Sequence, residues 1–286
     1  MSPIHWYRSA ALAILIGLAT PGVISEPPVR PIKEPYDYAA AMASVARRFR
    51  GVPGVFLHFG DSNTYASAYT ACARTPAQSS SQVQAFLQWS HQGDESVHDG
   101  WWLASVDIAG RSRSETAATG LRSNELLAGG KEGLPPLSEL ITRYNPQLAL
   151  YMLGTNDAKD ERPVQDYIAD VERALDLLIA NGTVPILSTL PPLRDRASLI
   201  AEYSAALRAL AAIKRVPLID LSAEMLKRGG QHTETLYVSP DGIHLSVGAA
   251  TGPDTDANLR HSGYLLRCQL ALYKAMEVKA SVLDQR

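Results

Sequence analysis

The sequence predicts an α/β protein built as a three-layer αβα sandwich, and two observations carry this prediction. Short apolar runs bounded by turn residues alternate along the chain with longer segments whose apolar residues recur at helical spacing. The intervening loops are short, as in repeated strand–helix–strand units that place parallel strands side by side through right-handed crossovers. A parallel sheet covered by helices on both faces is therefore expected.

Five strands are predicted, each from a short apolar run. They are expected at residues 55–59, 103–108, 148–153, 184–190 and 216–221. The clearest helix begins at Pro163, a residue suited to the first turn, and its single apolar stripe ends at Asn181 and Gly182. Further helices are expected at 38–49, near 83–89, near 137–141, at 199–213 and from 264 onward.

The composition is that of a globular protein. The 286 residues are 46% hydrophobic and 20% charged, with a formal net charge of -2, so the chain can bury a sizeable core. Its lysines and arginines are interspersed with acidic residues, which argues against a nucleic-acid partner. The sequence does not determine the oligomeric state.

The N-terminal segment has the features of an export signal. His5 and Arg8 precede an apolar run at 10–19, and small residues at 23–25 offer a cleavage site. A bilayer span needs about 20 apolar residues, so no integral membrane domain is expected, and an uncleaved tether is the alternative. The mature chain is therefore expected to be secreted or periplasmic. The expected divisions are a signal peptide at 1–25, a Pro-rich leader with the first helix at 26–50, and one main domain at 51–280.

Two cysteines are present, Cys72 and Cys268. Export to an oxidising compartment makes a disulfide between them conceivable. Because the sequence does not give the distance between the two residues, a bridge and free thiols remain alternatives.

Three residues can form the reactive centre of a serine hydrolase. Ser62 follows the first predicted strand, at the strand end where open α/β sheets place their catalytic groups. A serine hydroxyl needs a base within hydrogen-bond reach, and the base needs a group to orient it. His244 can serve as that base, and Asp241, three residues earlier, can accept a hydrogen bond from its ring. Ser62, Asp241 and His244 are therefore the candidate catalytic residues.

Ester hydrolysis also requires donors for the negative charge that develops on the carbonyl oxygen. Gly110 can supply a backbone N–H, Asn156 a side-chain amide, and Ser62 its own backbone N–H. We therefore predict an oxyanion hole formed by Ser62, Gly110 and Asn156. Gly100 and Gly120 compete with Gly110 for the glycine position.

Each of these features alone has an ordinary explanation. Gly-Asp-Ser occurs in many turns, Asn156 and Asp157 suit a helix cap, and Asp241-Gly242 suits a β-turn. Their combination in loops that mostly follow predicted strands favours the catalytic interpretation. His261 is the rival base, but Asn258 stands three residues before it instead of an aspartate.

Together, these residues resemble the SGNH hydrolase superfamily of GDSL-like lipases and esterases. Four blocks of that family have counterparts here, in the same order: Gly60-Asp61-Ser62-Asn63-Thr64, Asp107-Ile108-Ala109-Gly110, Gly154-Thr155-Asn156-Asp157 and Asp241-Gly242-Ile243-His244. The resemblance covers most of the mature chain. It implies a flavodoxin-like, five-stranded parallel sheet with strand order 2-1-3-4-5, in which Ser62 and Asn156 face each other across the crevice.

The chain departs from the family pattern in two ways. Asn63 stands beside the nucleophile where the family frequently has leucine. Long loops at 245–259 and 74–100 leave the predicted catalytic face, and we expect them to shape the substrate pocket.

The resulting expectation is an exported serine esterase that forms an acyl-enzyme on Ser62. Export, the polar Asn63 and nearby aromatic residues favour short acyl groups, such as acetyl, on a carbohydrate. The alternatives are a lipase, lysophospholipase or thioesterase, an acyltransferase to a sugar hydroxyl, and a non-catalytic glycan-binding protein of the same fold. No cofactor or metal is implied, since the sequence has no phosphate-binding glycine loop, no His-Glu-x-x-His and no Cys-x-x-Cys pair.

Overall fold

A parallel sheet forms the centre of the computed structural model, which describes residues 30–74, 80–90 and 95–285. The sheet has four strands in the order β1-β2-β3-β4. Phe56 pairs with Leu148, and Leu148 pairs with Val184. The predicted export signal lies outside the described residues. The strands are β1 (Phe56–Gly60), β2 (Leu148–Met152), β3 (Val184–Ser188) and β4 (Leu218–Ile219).

Helices precede, connect and follow the strands. The first seven are α1 (Ala39–Ala46), α2 (Ser62–Tyr65), α3 (Ser67–Arg74), α4 (Ser81–Trp89), α5 (Gly100–Ser105), α6 (Ser123–Ala128) and α7 (Leu137–Tyr144). The others are α8 (Thr155–Lys159), α9 (Val164–Asn181), α10 (Ala197–Lys214), α11 (Leu221–Gly229), α12 (Thr233–Tyr237), α13 (Asp256–His261) and α14 (Gly263–Val278). Short 3₁₀ turns occur at Lys131–Gly133 and Gly230–His232, and a π-helical turn at Lys279–Leu283 follows α14. Among the described helices, none is long and apolar enough to cross a bilayer.

The α/β sandwich predicted from the sequence is confirmed. Every residue of β1, β2 and β3 is buried, which requires cover on both faces of the sheet. Helix α5 contacts β1 and helix α14 contacts β4, while α9 and α10 both contact β3. The apolar stripe predicted after Pro163 is the buried face of α9, and Gly182 ends this helix in the left-handed conformation.

The second predicted strand is wrong. Residues 103–108 do not pair with the sheet. The first three of them belong to α5, and Asp99 caps this helix by accepting hydrogen bonds from Trp101 N and Trp102 N. A short apolar run fits a buried helix as well as a strand, and here the capping aspartate favours the helix. Within the described residues the sheet therefore has four strands rather than five, and they are the other four predicted strands in the expected relative order.

A different segment lies where the second strand was expected, along the free side of β1. Ala117 makes a single parallel bridge to Gly60, and Ala118 N donates to Gly60 O over 3.3 Å. Thr116 Oγ1 donates to His58 O over 2.7 Å. This contact brings the following residues, 119–123, towards the end of β1 at which Ser62 lies.

The Pro-rich leader ends against the opposite edge of the sheet. Glu34 Oε1 accepts hydrogen bonds from Leu218 N of β4, over 2.7 Å, and from the fully buried Lys274 Nζ, over 3.0 Å. Tyr36 OH donates to Val216 O. The leader thus satisfies backbone groups that the edge strand leaves unpaired, and the Glu34–Lys274 ion pair compensates each of the two buried charges.

Cys72 and Cys268 form a disulfide, which settles the alternative that the sequence left open. The bond joins α3 to α14 across 196 residues of sequence, with 6.3 Å between the two Cα atoms. The helix that follows the nucleophile turn is thereby tied covalently to the last long helix.

Candidate active site

The nucleophile turn begins where β1 ends. Gly60 is the last residue of β1, and α2 starts two residues later at Ser62. Asp61 caps this helix, since its Oδ1 accepts a hydrogen bond from Asn63 N over 2.9 Å. A side chain at Gly60 would place its Cβ only 1.9 Å from Thr64 Oγ1, so the turn requires glycine there. The serine hydroxyl is thus held at the carboxyl edge of the sheet.

The three candidate catalytic residues form one hydrogen-bonded chain. His244 Nε2 lies 2.9 Å from Ser62 Oγ, and His244 Nδ1 lies 2.6 Å from Asp241 Oδ2. A carboxylate can only accept, so Nδ1 carries the ring proton and Nε2 is left to accept the hydroxyl proton of Ser62. The structure therefore brings together the serine, base and carboxylate that the sequence singled out.

Asp241 remains ionised across the working range of an enzyme. Partial burial acts to raise its pKa, but hydrogen bonds from Ile243 N, His244 Nδ1 and His244 N outweigh that effect and lower the pKa to about 2. A carboxylate in this position fixes the orientation of the imidazole and stabilises the imidazolium that forms when His244 takes a proton.

Arg194 holds the turn that carries Asp241 and was not identified from the sequence. Its Nη1 donates to Pro240 O over 2.7 Å and its Nη2 to Ser239 O over 2.9 Å. Its backbone N also donates to Gly242 O over 2.9 Å. Gly242 has φ +81°, a conformation that favours glycine, and a Cβ there would lie 3.1 Å from Arg194 Cβ. The loop after β3 thus supports the Asp241–His244 turn (residues 239–245).

Asn156 lies beside the nucleophile turn, as expected from the pairing of β1 with β2. Its Nδ2 donates to Leu121 O over 3.2 Å and, over a longer 3.4 Å, to Asp61 Oδ2. Its neighbour Asp157 is fully buried and accepts hydrogen bonds from Ser123 N and Ser123 Oγ. Asn156 and Asp157 therefore fix the segment 121–123 next to the site.

These contacts favour Gly120 over Gly110 as the glycine of the site. Gly110 lies in an exposed turn in which Arg111 N donates to Ile108 O, and no contact places it beside Asn156 among the described residues. Gly120 directly precedes Leu121, which accepts from Asn156. The contact of Asn156 with Leu121 therefore favours Gly120, the competing glycine, as the candidate for the oxyanion hole.

Two buried charges lie beneath the nucleophile turn. Burial raises the pKa of Asp61, and burial also lowers the pKa of the Arg267 guanidinium. Arg267 Nη1 donates to Asn63 O over 2.6 Å, and its Nη2 donates to Thr64 Oγ1 over 2.7 Å. The guanidinium also lies 3.7 Å from the centre of the Tyr69 ring. Arg267 therefore fixes the backbone that follows Ser62.

The rival base and the aromatic residues have other surroundings. His261 Nδ1 contacts Ala257 O within α13, and in the described part of the chain no carboxylate is hydrogen-bonded to its ring as Asp241 is to His244. Trp101 and Tyr69 are fully buried in the core with His58, so neither is available to stack on a substrate.

Comparison with protein families gives a match over residues 58–249 to the GDSL-like lipase/acylhydrolase family. The matched region exceeds half of the chain and contains Ser62, Asn156, Asp241 and His244. The chain belongs to the GDSL-like lipase/acylhydrolase family. It is accordingly a serine hydrolase that acts on ester bonds, and the family resemblance noted in the sequence is confirmed.

Several solved structures are similar to this chain. The lipase/acylhydrolase from Enterococcus faecalis is 17% identical, with a TM-score of 0.51, over 78% of this chain and 95% of that one. A GDSL-like lipase from Bacteroides thetaiotaomicron is 16% identical, with a TM-score of 0.48, over 84% of this chain and 97% of that one. A family 3 carbohydrate esterase from Clostridium thermocellum is 14% identical, with a TM-score of 0.49, over 79% of this chain and 98% of that one. No curated protein sequence matches significantly.

Replacing Arg194 with alanine is expected to lower kcat/KM by about tenfold, because the Asp241–His244 turn loses two charge-assisted hydrogen bonds and the base is less well oriented. Steady-state hydrolysis of p-nitrophenyl acetate measures the effect. Arg173→Ala, which changes an exposed arginine of α9, is the matched control. Equal activity in the two variants would show that Arg194 does not support the site.

Proposed function

We propose that Ser62 is the nucleophile, His244 the general base and Asp241 the residue that orients it. The observation that carries this assignment is the continuous chain from Ser62 Oγ through the His244 ring to Asp241 Oδ2. Such a chain activates a hydroxyl that would otherwise be a weak nucleophile at neutral pH.

The two half-reactions follow from this geometry. Ser62 Oγ attacks the ester carbonyl carbon while its proton passes to His244 Nε2, and the carbonyl electron pair moves onto oxygen. When the tetrahedral intermediate collapses, the alcohol leaves with the proton from Nε2, and the acyl group stays on Ser62. Water then repeats the sequence with His244 as base, which releases the carboxylic acid and restores the serine.

The oxyanion hole of this mechanism consists of Ser62 N–H, Asn156 Nδ2 and Gly120 N–H. Asn156 is anchored by its hydrogen bond to Leu121 O, so the longer contact to Asp61 is the one that a substrate oxygen would replace. Loss of one such donor commonly costs about 2.7 to 4 kcal/mol of transition-state stabilisation.

We further propose that the substrate carries a short acyl group on a polar alcohol such as a sugar. The Ser62–His244–Asp241 chain lies near the surface, with His244 38% and Asp241 47% exposed in their side chains. A cavity of about 900 Å³ borders the Asp241–His244 turn at Ser239 and Pro240, with both polar and apolar residues in its lining, whereas Ser62, Asp241 and His244 do not line it. Because His244 and Asp241 are partly exposed, a long alkyl chain would bury little apolar surface beside them, whereas a polar alcohol such as a sugar could stay partly hydrated.

The start of the long loop 245–259 contributes to this cavity through Ser246 and Val247. The other predicted excursion, 74–100, falls partly outside the described residues, and its described middle part forms α4.

Ser62→Ala is expected to lower kcat for p-nitrophenyl acetate by about 10⁴-fold or more, because no other group can form the acyl-enzyme. Ser44→Ala, at an exposed serine of α1, is the matched control.

Wild-type kcat/KM should fall from acetate through butyrate to octanoate, and acetylated xylose and glucose should release acetate.

Equal rates for Ser62→Ala and wild type would contradict the assigned nucleophile. A preference for octanoate would instead contradict the short-acyl proposal and leave the nucleophile in place.

We also propose that the chain is exported, with cleavage near residue 25. The support is the charged start, apolar run and small residues of the first segment, together with the Cys72–Cys268 bond, a type of link that persists in oxidising compartments.

Expression of the full chain in a bacterial host should yield periplasmic or secreted protein whose N-terminus lies near Glu26, because the signal is removed on export. Fractionation with N-terminal sequencing measures this, and a chain lacking residues 1–25 is the control. Protein that stays in the cytoplasm with Met1 intact would contradict export.

A further inference from the structure

Asn63 connects the nucleophile turn to the Asp241–His244 turn. Its side chain is fully buried, and its Oδ1 accepts a hydrogen bond from Leu245 N over 3.0 Å. Asn63 directly follows Ser62, and Leu245 directly follows His244. The bond therefore runs parallel to the 2.9 Å contact between Ser62 Oγ and His244 Nε2, one residue further along both turns.

The other contacts of the Asp241–His244 turn fix its internal shape or bind it to other segments. Asp241 Oδ1 accepts from Ile243 N and His244 N within the turn itself. Ser239 N donates to His244 O, and Ser246 N donates to Tyr237 O, which continues the antiparallel bridge between Val238 and Leu245. None of these bonds joins the turn to a residue adjacent to Ser62, whereas the Asn63–Leu245 bond does.

Asn63 is itself held firmly enough to act as a reference point. Its N–H donates to Asp61 Oδ1, and its carbonyl oxygen accepts from the buried Arg267 Nη1 over 2.6 Å. Tyr264 OH, one turn before Arg267 on α14, also donates to Asn63 Oδ1 over 3.4 Å. The helix that carries both residues is bonded through Cys268 to α3.

The amide nitrogen of Asn63 has no comparable task. Asn63 Nδ2 is buried without a hydrogen-bond partner in the described part of the chain. An asparagine that keeps an unpaired donor in the interior is costly for a merely structural position, because an apolar side chain would avoid that cost. The oxygen of the amide is therefore the feature that the position uses.

We propose that Asn63 is a positioning residue that sets the distance between Ser62 and His244 through its hydrogen bond to Leu245. This inference rests on the proposed roles of Ser62 and His244. Asn63, which departs from the family pattern, thus contributes to turnover without contacting the substrate.

Asn63→Leu tests the proposal, because leucine has the same branched arrangement of side-chain heavy atoms and no acceptor. We expect kcat for p-nitrophenyl acetate to fall about 10- to 100-fold with KM within about twofold, since a displaced base slows proton transfer more than it weakens binding. Asn63→Asp keeps an acceptor at the same place and should retain at least about five times the kcat of Asn63→Leu. Asn63→Ala, which removes the acceptor without adding a branched side chain, is made in parallel.

Thr183→Val is the matched control for lost stability. Thr183 is fully buried, and its Oγ1 donates to Pro146 O at the end of β3 opposite the site. It should be destabilised to a similar extent in urea, yet keep the wild-type kcat. The rate at which a fluorophosphonate labels Ser62 gives a second readout, and it should fall in Asn63→Leu and Asn63→Ala in proportion to kcat.

A wild-type kcat in Asn63→Leu would overturn the proposal, as would equal losses in Asn63→Leu and Thr183→Val, or in Asn63→Leu and Asn63→Asp. If the wild type turned over no ester at all, the proposed function would fail and this inference with it. Full activity of Asn63→Leu beside an active wild type would remove only the positioning role.

Discussion

The contact between Ser62 Oγ and His244 Nε2 joins residues 182 positions apart in the chain, and most of the structure around the site serves to hold that distance at 2.9 Å. Ser62 is fixed from the sheet side, because β1 ends at Gly60 and the Asp61 cap starts α2 at the serine. His244 lies in a loop that follows the helix α12 instead of a strand of the sheet. Its position depends on Arg194 and Asn63, which bind the two sides of the Asp241–His244 turn.

The charges near this contact have distinct tasks. Asp241 is partly exposed and rich in hydrogen bonds, so it stays ionised and can stabilise a protonated His244. Asp61 and Arg267 are buried. Burial raises the pKa of Asp61 and lowers the pKa of Arg267, so in both cases it favours the neutral form. Asp61 accepts from Asn63 N, and Arg267 donates to Asn63 O and to Thr64 Oγ1, which suits a role in fixing the turn. The reactive and the supporting carboxylates are thus distinguished by their surroundings, although Asp61 is adjacent to Ser62 in sequence.

Much of this arrangement could be predicted from the sequence, because its parts are local. A strand end followed by Gly-Asp-Ser, or an aspartate three residues before a histidine, can be recognised within a few positions. The order of the four sequence blocks along the chain then indicates the family. The apolar run 103–108 predicts a strand, but a short apolar run does not distinguish a strand from a buried helix. That error also concealed the segment 116–118 at the edge of β1, and with it the reason to prefer Gly120 over Gly110. The partners of Asn63 and Arg194 lie 182 and 46 residues away, so no local pattern could reveal them.

The hydrogen-bonded chain should make Ser62 uniquely reactive, and covalent labelling tests this most directly. Native wild-type protein is treated with a fluorophosphonate, and its intact mass and digested peptides are then analysed. One adduct per chain on Ser62, no adduct in Ser62→Ala, and much slower labelling in His244→Ala are the results we predict. A native protein that remains unlabelled, or an adduct on another serine that persists in Ser62→Ala, would contradict the account.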